Sequence, residues 1–263
     1  MISPRFLAIA LVSAAIIIGA GCAGRISIAL PPSSNSLITG DSFYAAVSGM
    51  SREDRENFAL KELLSGNIPD QHRHFSKIRL SITDSSGSLV TATVFVTADY
   101  LSIGQNANFA RIPITPMTAT LIAEKLHCIL PTKKICDAIY EQARIKLNPV
   151  PMYAYRDSSI TFWQHNLIIE GQRKGRAGLI AGIKKDVISH GREGIPVPTG
   201  KVAIYGWHLK NGEPIQPVYT GHVNWYVDYS HGIRLVYRKI LVSGKWVDYN
   251  DAVADSVLRK LFF

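Results

Sequence analysis

Apolar and polar residues alternate along this chain in two rhythms, and the change comes near residue 175. Before it, helical spacing dominates. Ser51-Arg-Glu-Asp54 has the form of a capping box, a small hydroxyl followed three places later by a carboxylate. It predicts a helix running to Leu64, where Gly66 can end it. Thr118 and Thr132 stand where they can cap two successive helices, about 119–127 and 133–145, joined by a turn at Pro131. Asn148-Pro-Val-Pro151 breaks the chain, and a further helix follows Ser158 or Ser159, carrying Trp163, His165, Asn166, Glu170 and Arg173. A two-residue rhythm interrupts this half. Lys77–Thr83 and Leu89–Thr97 alternate around Asp84-Ser-Ser-Gly-Ser88, which predicts a hairpin, and Ile112–Ile114 reads as a short strand.

Beyond residue 175 the strand rhythm takes over. Leu179–Ile188, Val202–Leu209, Val223–Val227 and Ile233–Val242 read as strands, and Lys245–Val247 follows a Ser243-Gly244 turn. Asn250 is placed to cap a last amphipathic helix. Helices early and strands late predict an α+β fold: a helical N-terminal half packed on a mainly antiparallel β-sheet formed by the C-terminal half. The expected domain spans 41–263, helix-rich over 41–173 and strand-rich over 174–263. No internal repeat is visible. The tripeptide Ser-His-Gly occurs at 189–191 and 230–232, with nothing repeated around it.

The first forty residues follow neither rhythm. Arg5 precedes an almost wholly apolar run from Phe6 to Gly21, and small residues lead into Cys22. That order is a secretory signal peptide over 1–21. With a cysteine at the cleavage point it resembles a bacterial lipoprotein signal, although Gly19 stands where such signals carry a large aliphatic residue. The resemblance implies lipidation at Cys22 and a membrane-anchored, extracytoplasmic protein, in the periplasm or on the cell surface. Residues 22–40, with Pro31-Pro32-Ser33-Ser34-Asn35-Ser36, then read as a flexible tether. Lysine and arginine outnumber aspartate and glutamate 29 to 20, a formal charge of +9. Outside the cytoplasm that charge points to anionic envelope polymer, peptidoglycan or lipid headgroups as partners. No zinc knuckle or basic helix with base-reading aromatics points to nucleic acid. In an oxidising compartment Cys128 and Cys136 could form a disulfide across the Pro131 turn, and two buried free thiols fit equally.

The candidate chemistry concentrates in Gly221–Leu235, which holds His222, Asp228, Ser230, His231 and Arg234. One reading is acid–base work: His222 or His231 activates water or Ser230, Asp228 or Asp186 orients the imidazole, and Arg234 grips a substrate carboxylate or phosphate. A second is a zinc site of His208, His222 and His231 with an open position, although the spacings match no metal motif. Lys184-Lys185-Asp186 interrupts an apolar strand. Alternation puts Lys184 and Asp186 on one face and Lys185 with Val187 on the other, where an inward lysine would have a lowered pKa. Lys185, Asp186, His165 and Tyr205 join Arg234 as candidate substrate contacts. His165, Gln172 and Arg173 are spaced to form one wall of a cleft. The aromatics Tyr205, Trp207, Trp225, Tyr226 and Tyr229 either stack on sugar rings or fill the core.

Pro198-Thr-Gly-Lys201, His222 and Ser230-His-Gly-Ile-Arg-Leu235 resemble the L,D-transpeptidase (YkuD-like) catalytic domain over the last third of the chain. In that family a catalytic cysteine follows the Ser-His-Gly. Here Ile233 follows Gly232 directly, and His222 follows a glycine instead of preceding one. The resemblance therefore implies a wall-associated domain without the family's thiolate chemistry. The expected function is an envelope hydrolase acting on a cell-wall glycan or peptide-glycan polymer. The alternative is a non-catalytic lipoprotein binding envelope polymer or a partner, and a purely structural polar network is a third.

Overall fold

The computed structural model describes residues 26–28, 30–31 and 37–263. The signal peptide and Cys22 lie outside the described residues. Part of the expected tether does not hang free. Ile28 is buried and its amide donates to the Arg73 carbonyl at 2.8 Å, while Ser27 bridges His74. The apolar Ile26, Ile28, Leu30 and Ile38 make these residues part of the core instead of a linker.

The fold is α+β, but its halves interleave. The largest sheet runs Lys245–Asp248, Lys239–Val242, Leu89–Thr97, Val236–Tyr237, Cys128–Ile129, and Phe75–Thr83 also pairs with Leu89–Thr97. Its two longest strands therefore come from the half expected to be helical. They form an unbroken antiparallel ladder from Phe75↔Thr97 to Thr83↔Leu89. The Asp84 carboxylate closes that hairpin by accepting from the amides of Ser86 (2.8 Å) and Ser88 (2.9 Å). Alternation sends Ile78, Leu80, Val94 and Val96 onto the helix Lys133–Gln142, through Ile135, Ala138 and Ile139. Phe75 and Phe95 join the other core, shared by Val187 and Ile204 of a second sheet and by Val202 just before it. That sheet runs Pro214–Tyr219, Ala203–His208, Lys185–Ile188, His231–Gly232; its last pair is parallel.

Four helices start where their cap chemistry dictates. Ser51, Thr115, Thr132 and Ser158 each accept from an amide three residues on, heading Arg52–Leu64, Pro116–Lys125, Lys133–Gln142 and Ser159–Arg173. Thr115, not Thr118, heads the second of these, because Pro116 fits the first helical position. At the C-terminus Asp248, not Asn250, caps Tyr249–Ala254. Several expected strands are corrected. Leu179–Ile188 breaks at Gly182, whose φ is +101° and where a Cβ would fall 2.5 Å from the Leu147 carbonyl oxygen. Val223–Val227 is turn apart from one bridge, Lys201↔Val223. Ile112–Ile114 is irregular, and the strand there is Asn108–Arg111, paired with Ser102–Gln105. Pro214–Tyr219 has no sequence signal because its two prolines weaken it; as a sheet edge it tolerates them.

Candidate functional site

The parallel pair His231↔Lys185 builds the site. Lys185 donates its amide to the Ser230 carbonyl at 2.7 Å, so the Asp228–His231 segment is laid beside Lys184 and Lys185. Gly232 permits the approach. A Cβ there would meet Tyr100 Cδ1 at 2.5 Å and Lys184 Cβ at 2.8 Å. Gly232→Ala is therefore expected to cost about 1–3 kcal/mol through overpacking, read as a lower urea midpoint; an unchanged midpoint would contradict this packing.

Asp228 is the hub. Its Oδ1 accepts from the Ser230 amide (2.8 Å) and hydroxyl (2.5 Å), and its Oδ2 accepts from Arg156 Nη2 (2.6 Å) and Nε (3.2 Å). Burial raises the Asp228 carboxyl, but His231, Ser230 and Arg156 together hold it below the usual carboxylate range. His231 is buried to 1% exposure, and neither ring nitrogen has a hydrogen-bond partner among the described residues. Burial lowers it to about 4 against the pull of Asp228, so the ring is neutral at pH 7. Half-buried His222 packs its ring on Tyr219 (4.9 Å) and Tyr226 (5.3 Å).

Two lysines complete the cluster. Lys185 Nζ lies 5.0 Å from the centre of the Trp207 ring and makes no ion pair among the described residues; burial lowers its pKa, and Asp228 opposes the fall. Lys184 is fully buried, donates to the Tyr229 carbonyl at 2.5 Å, and is lowered to about 7 by burial and Arg111. Behind it lies His165, fully buried, edge-on to Tyr229 at 4.8 Å, lowered to about 2 by burial and Lys184. It is not part of a cleft wall with Gln172 and Arg173. Gln172 is bound to the Asn148 backbone, and Arg173 to Glu170.

Of the expected convergence, His222, Asp228 and His231 come together, with the Tyr226 ring packed on both imidazoles, but His208 and Arg234 do not join them. Lys185 and His231 share one face of the parallel pair; Asp186 and Gly232 take the next register position, so Asp186 turns to the opposite side. There its Oδ1 lies 3.7 Å from Arg234 Nε. Arg234 is fully buried, donates to the carbonyls of Thr97 and Ile180 at 2.7 Å each, and stacks on Tyr100 at 4.4 Å. It holds strands together and has no free fork for a substrate anion. Asp186 is raised to about 6 by burial despite Arg234 and His208, and its Oδ1 makes no hydrogen bond among the described residues. His208 stacks on Tyr140 (4.5 Å), lies 3.6 Å from Asp137, and opens on a separate cavity of about 560 Å³. Tyr205 is buried and donates to Asp137 at 2.5 Å. His208 thus stands apart from His222 and His231. Among the described residues, no three or more histidine, cysteine, aspartate or glutamate side chains are grouped to hold a metal ion. Ser230 is buried and donates to Asp228, so no histidine is placed to activate it. Cys128 and Cys136 are buried free thiols, not a disulfide; burial raises both, Cys128 to about 12.

Sequence reasoning passed over the loop that supplies Arg156. Tyr153 and Tyr155 are 87% and 83% exposed and help line a cavity of about 530 Å³. Tyr155 has a left-handed backbone (φ +48°), and its carbonyl accepts from Ser158. The loop is pinned to the site: Tyr229 donates its amide to the Arg156 carbonyl (2.9 Å), and Met152 donates its amide to the Tyr229 hydroxyl (2.7 Å). Two tyrosines separated by a single residue, between a proline-rich break and a helix cap, were the available signal. No family model, no curated protein and no solved structure matches this chain.

Proposed function

We propose that this is a lipid-anchored, extracytoplasmic protein that binds an anionic cell-wall polymer. Sugar rings stack on Tyr153 and Tyr155, and an acidic group of the polymer is drawn to Arg156 and Lys185. The observation that carries the reading is a charge imbalance. Lys185 and Arg156 share one carboxylate, Asp228, whose two oxygens are already taken by Ser230 and Arg156, so Lys185 keeps no ion-pair partner of its own among the described residues. A buried cation without a full counter-charge attracts an anion. The exposed tyrosines beside it are the kind of surface on which sugar rings stack.

The test is co-sedimentation of the protein with purified peptidoglycan over a salt series. Lys185→Met and Tyr155→Ala should each weaken binding at least about fivefold, roughly a 1 kcal/mol effect, and only the lysine change should flatten the salt dependence. Retention of wild-type binding by both variants would refute the assignment.

The hydrolase reading has one observation of its own: the partnerless imidazole of His231, neutral at pH 7, keeps a lone pair free to accept a proton from water. Its mark would be release of soluble wall fragments by the wild type, abolished in His231→Ala while binding persists.

A further inference from the structure

Between the two sheets lies a cavity of about 410 Å³, separate from the polymer site. Its size falls in the range of roughly 300–1,000 Å³ common to small-molecule sites. The walls come from both sheets and from the helix Pro116–Lys125. Ala123, Leu130, Ile188 and Val202 are all buried apolar residues that line it. Polar groups interrupt that lining, Glu124, Ser189, His190 and Asn250 among them, and two others bear on what the cavity holds. The first is the Tyr249 hydroxyl. Tyr249 is 5% exposed, and its hydroxyl makes no hydrogen bond of normal geometry among the described residues, with the Ser189 side chain beside it as the one weak contact named for it. A buried hydroxyl left unpaired costs free energy unless a ligand oxygen or water receives it. The second is Lys201, half-buried, which makes a single hydrogen bond, to the Gly221 carbonyl at 3.1 Å, and no ion pair among the described residues. The other cation lining the cavity, Arg238, is held by Asp248 at 3.1 Å. Lys201 is thus a positive charge without an ion-pair partner among the described residues, on a cavity whose buried wall is apolar and whose exposed side also carries Glu124.

We infer that this cavity binds an amphipathic carboxylate, a medium-length acyl chain with an anionic head. The chain lies against Ala123, Leu130, Ile188 and Val202. The carboxylate accepts from the Tyr249 hydroxyl and neutralises Lys201. Complementarity of charge selects the acid over the alcohol of the same chain, and the apolar walls select the chain over a short acid such as acetate. The site does not depend on the polymer reading, since none of Lys185, Arg156, Tyr153 and Tyr155 lines it.

Calorimetric titration of the full-length protein with decanoate, below its micelle-forming concentration, tests this directly. One decanoate per chain should bind, with decanol and acetate each at least tenfold weaker. Thr120→Trp, at an exposed helix position on the cavity lining, should weaken decanoate at least tenfold by filling the entrance. Lys201→Ala should bring decanoate down to the affinity of decanol while leaving decanol unchanged, and Tyr249→Phe should weaken decanoate severalfold. Thermal unfolding of each variant confirms that it is folded. Absence of saturable decanoate binding to the wild type overturns the inference, as does decanoate binding that both Thr120→Trp and Lys201→Ala leave intact. Peptidoglycan co-sedimentation by the same variants should match the wild type, which separates this site from the polymer site.

Discussion

Lowering the pH from 6.5 towards 4 should unfold this protein steeply, well before its ion pairs begin to protonate. Three buried histidines set the slope. His72 and His231 are each lowered to about 4 and His165 to about 2, with burial the leading cause in all three. The unfolded chain takes up protons at these positions near pH 6.5, and the folded chain refuses them until about 4 or below. Their contribution is therefore complete above pH 6.5 and is lost as the pH falls through that window. Asp186 works the other way. Its carboxyl, raised to about 6, is protonated in the fold while it is still ionised in the unfolded chain, so acid favours the fold at that one position. Three protons against one leave the unfolded state ahead by about two, or about 3 kcal/mol per pH unit between pH 6 and 4. A typical domain has only about 5–15 kcal/mol in total. The depressed carboxylates Asp99 and Asp228 add to the loss only below about pH 4, the unfolded value. Lys184, lowered to about 7, is charged in the unfolded chain and neutral in the fold between pH 7 and 10.5, so stability should still rise on the alkaline side. Urea midpoints from pH 7.5 down to 4.5 give the slope. A midpoint that stays level from pH 7 to 5 would mean these imidazoles are not buried as described.

Arg111→Met should be the most damaging single substitution among the charged residues. Arg111 is 1% exposed. Its Nε and Nη2 donate to the two oxygens of Asp99 at 2.9 and 2.5 Å, while Nη1 donates to Glu170 at 2.8 Å and to Asn166 at 3.1 Å. His72 lies a further 3.6 Å from Asp99 on the other side. Losing the guanidinium leaves Asp99 a buried charge without its closest cation, held by the Tyr100 amide at 2.7 Å and flanked by an imidazole that burial keeps neutral at pH 7, with Arg234 acting on it from farther off. Breaking such a pair from one side costs about 3–5 kcal/mol, whereas replacing both members by apolar residues can be nearly neutral. Arg111→Met should thus lower the urea midpoint sharply, and Arg111→Met combined with Asp99→Leu should recover much of the loss. A double variant no more stable than the single one would show that these residues act separately.

Much of the local structure was legible because its causes are local. The hydroxyls of Ser51, Thr132 and Ser158 and the carboxylate of Asp84 act within a few residues, and each caps or closes its element as expected. The composition of the site was also legible, in that Asp228, Ser230, His231 and Lys185 do share one neighbourhood. What failed was the wider gathering. Alternation says that neighbours in a strand face opposite ways, but only the register Gly232↔Asp186 sends Asp186 and Tyr205 away from His231, and register is a property of the pairing; the left-handed Trp207 (φ +57°) then breaks the alternation before His208. Arg111 and Asp99 drew no attention for a similar reason. They meet through a short hairpin, Ser102–Gln105 with Asn108–Arg111, whose Asn106-Ala107 turn carries no strong turn signature. The large sheet was misassigned because Lys239–Val242 pairs with Leu89–Thr97 across most of the chain.

The stitch between Ser27, Ile28 and the His74–Arg73 backbone sets how far the domain can stand from a membrane. With a lipid on Cys22, as proposed, three residues separate the lipidated cysteine from Ile26, whose carbonyl accepts from the Phe75 amide at 3.1 Å. Four residue steps reach at most about 14 Å, less than the width of the domain itself. The leash is too short for the protein to roam the wall; it would work as a low sentry, touching only strands of polymer that lie against the membrane.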